Sequence, residues 1–481
     1  MLCPINSQSD FDIRCTPPHT SSFIKQRMHN ALINKMPANT LDAAAISLYI
    51  LTFNCGGSLI DVDAFASQLF DGLSQRKLPE LLVLSLQEIA PIPHSFIGGS
   101  FLIPYFSRFH QAVQNAAIKL ASTTNDIPIY TAITARNVGM TGIMVFAKDP
   151  SAIQDLETGG VGVGMAEMGY KGGIGVRFTY RASGPAYTEL TFVAAHLAAM
   201  EDKLLRRNED WKNIASRLVF SSSTKQRGNL ASSSEERPLL SISPQDASIY
   251  KSTTHLFVAG DLNYRTSTIS PSATDHIETF PQPHHDESSP NHFNSLFERD
   301  QLSQERAACR TLQGLVEAPV TFPPTYKYDS REPFLTPDED LAKWHWAKHR
   351  WPSWCDRILY LETPSWMKSQ RPDASLVAHK YTALPLQSTT DHRAVTIEFS
   401  VPLIPIPKPN EEEEAASKDP RVHPPFDIDI NWKSRRERAR TLELLAGFTL
   451  YFTTTGEGNS VVIATIVGVV GGYFALRALW M

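Results

Sequence analysis

Residues Thr254 to Arg265 read Thr-His-Leu-Phe-Val-Ala-Gly-Asp-Leu-Asn-Tyr-Arg, and no other stretch of the chain constrains the fold as much. An apolar, β-prone run ends on Gly260, and Asp261, Asn263, Tyr264 and Arg265 follow within five positions. That is how a buried strand delivers polar groups to its end. Side chains alternate along an extended chain, so Asp261 and Asn263 can point to one side while Leu262 packs the other way. A carboxylate beside a carboxamide can orient a water and hold a charged oxygen. Taken alone, Gly-Asp-x-Asn reads more readily as a strand followed by an Asx turn, so other segments must decide.

Three of them repeat the pattern. Ile46 to Gly57 reads as a strand ending in Asn54 and a Gly pair, and Leu81 to Ile89 places Gln87 and Glu88 at the end of a second apolar run. Such a pair is costly at a buried strand end unless something compensates it, and a divalent cation would. Leu190 to Leu197 ends in His196. A lone His among apolar residues is more often a core histidine than a catalytic one, but this one shares its strand-end position with Asn54, Glu88 and Asp261. Phe109 to Ala121 predicts a helix, and Ile127 to Ala135 and Gly142 to Ala147 predict further strands. The Gly-rich segments Gly159 to Gly164 and Gly169 to Gly175 are not a P-loop, because no Gly-Lys-Ser/Thr opens a helix. They are expected to form turns between strands.

Further on, Pro324 to Asp329 and Lys348 to Tyr360 combine cations with aromatic residues, and Thr390-Asp391-His392 sets an Asp-His pair directly before a strand. That placement suits an acid or base held by a neighbour. Ser221 to Ser248 is Ser-rich and Ser270 to Ser295 is rich in Pro, His and Ser, so both read as exposed insertions. A hydrophobic share of 42% with 8 Trp, 14 Tyr and 24 Phe can fill a large core, and the formal charge of -5 provides no broad basic field. No nucleic-acid partner is expected. Five cysteines without CxxC spacing argue against a disulfide framework or a zinc site and for a reducing compartment.

Together these strings resemble the inositol polyphosphate 5-phosphatases, a branch of the fold shared with DNase I-like nucleases and neutral sphingomyelinases. The likeness runs from about Ile46 to Phe399 and is most specific at Gly260-Asp261-Leu262-Asn263-Tyr264-Arg265 and Pro352-Ser353-Trp354-Cys355-Asp356-Arg357-Ile358-Leu359. It implies a four-layer α/β sandwich, two mainly antiparallel sheets flanked by helices, with the site where strand ends converge. By the same resemblance Glu88 would bind Mg²⁺ with Asn54 beside it and Asp391 near it. Asp261 would orient or deprotonate the attacking water, and Asn263 and His196 would hold phosphoryl oxygens. His392 would stabilise the developing charge, its ring positioned by Asp356. Lys327, Lys348 and Arg350 would grip a ring 4-phosphate, Tyr326 would add a phenolic hydrogen bond, and Tyr264, Arg265 and Arg357 complete the expected substrate-binding set.

The implied activity is Mg²⁺-dependent hydrolysis of the 5-phosphate of phosphatidylinositol 4,5-bisphosphate by in-line attack of water, without a covalent enzyme intermediate. Thr390 and Ala394 are mild departures from the family text, and the insertion between Arg265 and Asp300 bears on loop geometry. Two rivals stand beside this reading. A nuclease or sphingomyelin phosphodiesterase of the same superfamily shares the chemistry but has no need of the Tyr326, Lys327, Lys348 and Arg350 group. An inactive phosphoinositide-binding scaffold would not need every catalytic position filled.

The expected organisation is a lead-in over residues 1–44, a catalytic domain over 45–400 with insertions at about 221–250 and 267–298, a Pro/Glu-rich and basic linker over 401–440, and a hydrophobic tail over 441–481. Within the tail, Val461 to Trp480 is long enough to cross a bilayer, with Arg477 near its end. Lys433, Arg435, Arg436, Arg438 and Arg440 lie on its N-terminal side, which favours a membrane-anchored protein with a cytosolic catalytic domain facing phosphoinositide headgroups. The endoplasmic reticulum is the expected membrane, and no obligate protein partner is inferred.

Overall fold

The computed structural model describes residues 45–122, 129–222, 244–329 and 342–480. The N-terminal lead-in and most of the Ser-rich stretch after Ser222 lie outside the described residues. The strands are β1 (Ala45–Asn54), β2 (Leu81–Gln87), β3 (Thr131–Val138), β4 (Thr141–Ala147), β5 (Ile153–Gly162), β6 (Gly172–Arg181), β7 (Tyr187–His196), β8 (Ser221–Ser222), β9 (Thr254–Asp261), β10 (Asp356–Tyr360), β11 (Val377–Ala383) and β12 (Val395–Pro402). They form two six-stranded sheets, ordered β11-β12-β1-β2-β4-β3 and β10-β9-β7-β6-β5-β8.

Period-two patterning explains the layering. On β1, Leu48 and Ile50 face one way and join Val83, Val145 and Ile397 against Val176, Phe192, Phe257 and Ile358 of the second sheet, which makes the inter-sheet core. Tyr49, Leu51 and Phe53 face the other way, onto Phe65 of α1 (Val62–Gln68) and Phe109 and Val113 of α3 (Ile103–Ala121), with α2 (Ile92–Ile97) between those helices in the chain. The second sheet is covered outside by Trp211 and Ile214 of α4 (Leu204–Arg217). The result is the four-layer α/β sandwich. Each sheet is antiparallel apart from one parallel pair, β1 with β2 and β7 with β9. Those parallel pairs bring the ends of β1, β2, β7 and β9 to one edge.

Three expectations need correction. The Gly-rich segments are mostly strand rather than turn: β5 and β6 pair with Gly159 opposite Gly175 and Gly162 opposite Gly172, and of these glycines only Gly164 and Gly169 fall in the connection between them. The glycines serve close approach, since a Cβ on Gly172 would sit 2.3 Å from the Val161 carbonyl oxygen. Residues expected as a solvated linker pack on the domain. The Arg421 side chain is buried, donating to Thr254 O at 3.1 Å, Glu362 O at 2.8 Å and Asp419 Oδ2 at 2.7 Å. The acidic run forms a short helix, Glu411–Ala416, closed by a capping box from Asn410 and Glu413. Finally, Cys55 and Cys355 are free and buried, but Cys309 is disulfide-bonded, against the expectation from cysteine spacing.

Candidate active site

Register alone assembles half of the site. His196 closes β7 and is the partner of Asp261 at the end of β9, and Asp261 is in turn the partner of Asp356 at the start of β10. The three residues form one row across the second sheet. From the facing sheet, Asn54 ends β1 beside Gln87, and Glu88 follows in a left-handed backbone conformation, φ 47°. A residue other than glycine in that region marks a constrained turn. His392 enters just ahead of β12, which is zipped to β1. Thr390 fixes the approach by donating its hydroxyl to Asn54 O at 2.7 Å. Gly260 precedes the central aspartate because a Cβ there would lie 1.9 Å from Ala195 O of the neighbouring strand.

Asp261 is the hub. Its Oδ2 accepts from Asn54 Nδ2 at 2.9 Å, lies 3.3 Å from His196 Nε2 and 4.0 Å from His392 Nε2, and its Oδ1 accepts from Asn263 N at 3.1 Å. Burial alone would raise its pKa, but the contact with His196 and the charge of His392 overcome that and hold the carboxylate well below its ordinary range. His392 Nδ1 is 2.9 Å from Asp356 Oδ2, which also accepts from Thr325 Oγ1 at 2.7 Å. Burial opposes charge on His392, yet Asp356, then Asp261 and Asp391, push the imidazolium up to about 9. Burial lifts Asp356 to about 6 against the pull of His392. Between these values the pair is an ion pair. His196 is driven the other way, below its ordinary value, by burial and then by the Lys171 ammonium.

Lys171 is the site residue that the sequence reading missed. Its Nζ lies 2.5 Å from His196 Nε2 and 3.5 Å from Glu88 Oε1. The available signal was a lone lysine one residue before β6, hidden in glycines read as turns. Asn263 adopts φ 57° and is fixed by Arg265, whose Nε donates to Asn263 O at 3.0 Å and whose Nη2 donates to Asn263 Oδ1 at 2.5 Å. Asn263 Nδ2 donates to Leu197 O at 3.1 Å.

The expected ring-phosphate cations gather at the mouth. Lys327 Nζ bonds to Asp391 Oδ2, and Ala347 N donates to Lys327 O at 2.9 Å, which brings in the turn that carries the exposed Lys348 and the half-buried Arg350. Arg350 Nη1 is 3.6 Å from Glu201 Oε2. The Tyr326 ring is 4.5 Å from the His392 ring, centroid to centroid, and the Arg265 guanidinium sits 4.4 Å over it.

Three expected substrate contacts are placed otherwise. Arg357 follows Asp356 on β10 and therefore points to the opposite face, where it donates to both Glu317 oxygens at 2.6 Å and to Asp300 Oδ2 at 3.0 Å. Tyr264 is buried with its hydroxyl bonded to Asn208 and Thr311, each at 2.8 Å. Arg265 is equally buried and holds Asn263 rather than facing solvent.

The donors fit a hard divalent cation. Glu88, Asp261 and Asp391 offer carboxylates and Asn54 a carboxamide oxygen, the oxygen-only chemistry that Mg²⁺ or Ca²⁺ takes. Asp261, Asp356 and His392 also place ligand atoms within 4.8 Å of one another. That trio is less suited to a cation, because a protonated His392 bonded through Nδ1 to Asp356 has no free lone pair.

Two facing sheets with acidic and imidazole groups converging at their shared edge define the DNase I-like class. The chain belongs to endonuclease/exonuclease/phosphatase family 2, whose family model matches residues 51–398. Among curated relatives it is 30% identical over 269 residues to the mouse (Mus musculus) type II inositol 1,4,5-trisphosphate 5-phosphatase, covering 55% of this chain and 22% of that protein. It is 28% identical over 285 residues to inositol-1,4,5-trisphosphate 5-phosphatase 1 of Schizosaccharomyces pombe, covering 58% of this chain and 20% of that one. The chain thus matches about a fifth of the length of these relatives. In fold it is similar to the crystal structure of the inositol polyphosphate 5-phosphatase domain of SPsynaptojanin, in complex with inositol (1,4)-bisphosphate and calcium, with TM-score 0.52 and 21% identity over 88% of this chain and 98% of that one.

Proposed function

We propose that this protein is a divalent-cation-dependent phosphatase that removes the 5-phosphate from phosphatidylinositol 4,5-bisphosphate at a membrane surface. The observation that carries the reading is the Asp261 carboxylate, held ionised between Asn54, His196 and His392, with Lys327 and Arg350 at the mouth of the same site. The curated relatives named as inositol phosphate 5-phosphatases add support for the class of substrate.

Each side chain has work suited to its state. A carboxylate held this far below its ordinary pKa keeps no proton, so Asp261 orients the attacking water by accepting from it. His392, charged and fixed by Asp356, faces the oxygen on which negative charge develops. Asn263, locked by Arg265, and His196 orient the phosphoryl oxygens. Glu88 with Asn54 would hold Mg²⁺, which supplies charge neutralisation on the phosphate when bound. Lys327, Lys348 and Arg350 select a ring that carries a second phosphate. The endoplasmic reticulum is the proposed membrane, reached through the C-terminal helix α7 (Gly456–Leu479), which is long and apolar enough to span.

The test is phosphate release by the full chain from vesicle-embedded and from soluble 4,5-bisphosphorylated inositides, with Asp261→Asn as control. Release from at least the lipid form that the variant abolishes is expected. Release from neither substrate, or equal release by the variant, refutes the reading.

A further inference from the structure

Helix α6 (Trp432–Thr454), well beyond α5 (Gln301–Ala307) in the chain, turns the wrong face outwards for a helix in water. Its inner face buries Ala439, Glu443 and Gly447 and continues to Tyr451, whose ring lies 5.2 Å from that of Phe101, so a charge sits at its centre. Glu443 is fully buried, accepts from Gly169 N at 2.9 Å, and is neutralised by Arg436 Nη1 at 2.6 Å and Arg440 Nη1 at 3.3 Å. Arg440 also donates to Ile97 O at 2.8 Å. Gly447 seats the helix on α2, where a Cβ would come within 3.0 Å of Phe96 Cβ.

The outward face carries Leu442, Leu445, Phe448 and Phe452, spaced by three, three and four residues into one stripe, and all four are exposed, Leu445 by 67%. A helix packed on a globular domain normally shows the reverse, with its apolar stripe inward and its charges outward. A single residue, Thr455, then separates α6 from α7, a 24-residue helix whose apolar, membrane-length stretch is left unburied by the fold. The apolar stripe is therefore continuous with the segment that a bilayer would take up.

We propose that the outer face of α6 lies in the headgroup and acyl boundary of the bilayer that α7 enters, while its inner face clasps the catalytic domain. This rests on the proposed membrane anchoring. An interfacial helix needs an apolar face on the lipid side and polar partners on the other, and here the polar partners belong to the domain. The clasp is made at two places that matter for the site. Gly169 lies two residues before Lys171, and α2 opens four residues after Glu88. Bilayer, helix and the Glu88 side of the site thus form one connected body, which sets the height and tilt of the active site above the lipid. A flexible tether would leave both free.

The experiment uses the full chain in phosphatidylcholine vesicles that contain the 4,5-bisphosphorylated phosphoinositide. A fluorophore on Leu445→Cys is compared with the same fluorophore on the exposed Lys433→Cys, about 120° round the helix from it, using brominated lipid as quencher and the identically treated parent chain as background. Severalfold stronger quenching at position 445 is expected. Equal quenching at the two positions overturns the proposal, as does shielding of position 445 from both lipid and aqueous quencher, which would mean that a second copy or α7 itself covers the stripe. A chain that does not sediment with the vesicles overturns the anchoring and this proposal together. In a second arm, Leu445→Asp with Phe448→Asp should lower turnover of vesicle-embedded substrate roughly tenfold while leaving turnover of the soluble inositide unchanged. Equal loss on both substrates, or none, counts against it. Quenching requires no turnover, so failure of the phosphatase reading shows separately, as absence of phosphate release beside intact quenching.

Discussion

Replacing Asp356 by Asn tests the electrostatic reasoning at its most exposed point. Asp356 is the largest of the influences that raise His392 to about 9 from an ordinary 6.5. Removing its charge while keeping its shape returns the imidazole towards the ordinary value, a difference of up to about 2.5 pKa units or about 3 kcal/mol of protonated-state stabilisation. Asp261 and Asp391 still favour the proton and burial still opposes it, so the figure is the order of magnitude of the net change. The sign follows from the direction of the shift. A raised histidine keeps its proton, and the stability that proton confers, below 6.5 and loses both as pH rises through about 9. The wild-type kcat/KM profile should therefore fall on its alkaline side near 9, and on its acid side near 6 where Asp356 takes up a proton. In the Asp356→Asn enzyme the alkaline limb should move down by one to two pH units, roughly, with a further loss of order 10² at the optimum from the ring's lost orientation. The assay is phosphate release across both limbs on a soluble substrate, with thermal unfolding as a check of the fold. An alkaline limb that stays where it was in a folded, weakened variant would refute the assignment of charge to His392.

Other expectations are simpler to state. Arg265→Lys removes the fork that fixes Asn263 and should lower kcat by roughly 10–10² with little change in KM, measured by steady-state kinetics. Arg350→Met should cost about 1.5–3 kcal/mol of preference for a 4,5-bisphosphorylated ring over a 5-monophosphate, read as the ratio of kcat/KM values for the two. Chelation should abolish turnover, and Mg²⁺ should restore it better than Zn²⁺ because the donors are oxygens. Gly260→Ala forces a Cβ to within 1.9 Å of a backbone oxygen in the strand alongside, so it should unfold the domain or lower its melting temperature sharply, as judged by calorimetry.

The hub of the site is legible in the sequence because it obeys local rules: a buried strand, a glycine, then Asp261 and Asn263. Asn54, Glu88 and His196 are legible for the same reason, and parallel pairing brings their strand ends together. Arg357 is misplaced when motifs are carried over whole, although strand alternation already separates it from Asp356. Tyr264 and Arg265 look like polar groups beside a site, but their partners Asn208, Thr311 and Gln301 come from distant helices and loops and hold them inward. Lys171 stays hidden because its meaning depends on Glu88 and His196, which lie 83 and 25 residues away, well beyond any local window. The docking of α6 is illegible for a similar reason: the basic run that resembles a solvated linker donates to Glu443, itself held by Gly169 N, and to the carbonyl groups of α2.

The pairing of β1 with β12, from Ala45 opposite Pro402 to Thr52 opposite Val395, bears on the timing of biogenesis. Asn54 is among the first of these groups to leave the ribosome and His392 the last, and the two share a site only once the final strand has zipped against the first. A domain closed by so distant a pairing folds late and as a whole. No truncated nascent chain can carry a working centre. By the time β12 has emerged, α6 and the apolar helix behind it are next to be made, so the site closes within a few seconds of that helix leaving the ribosome.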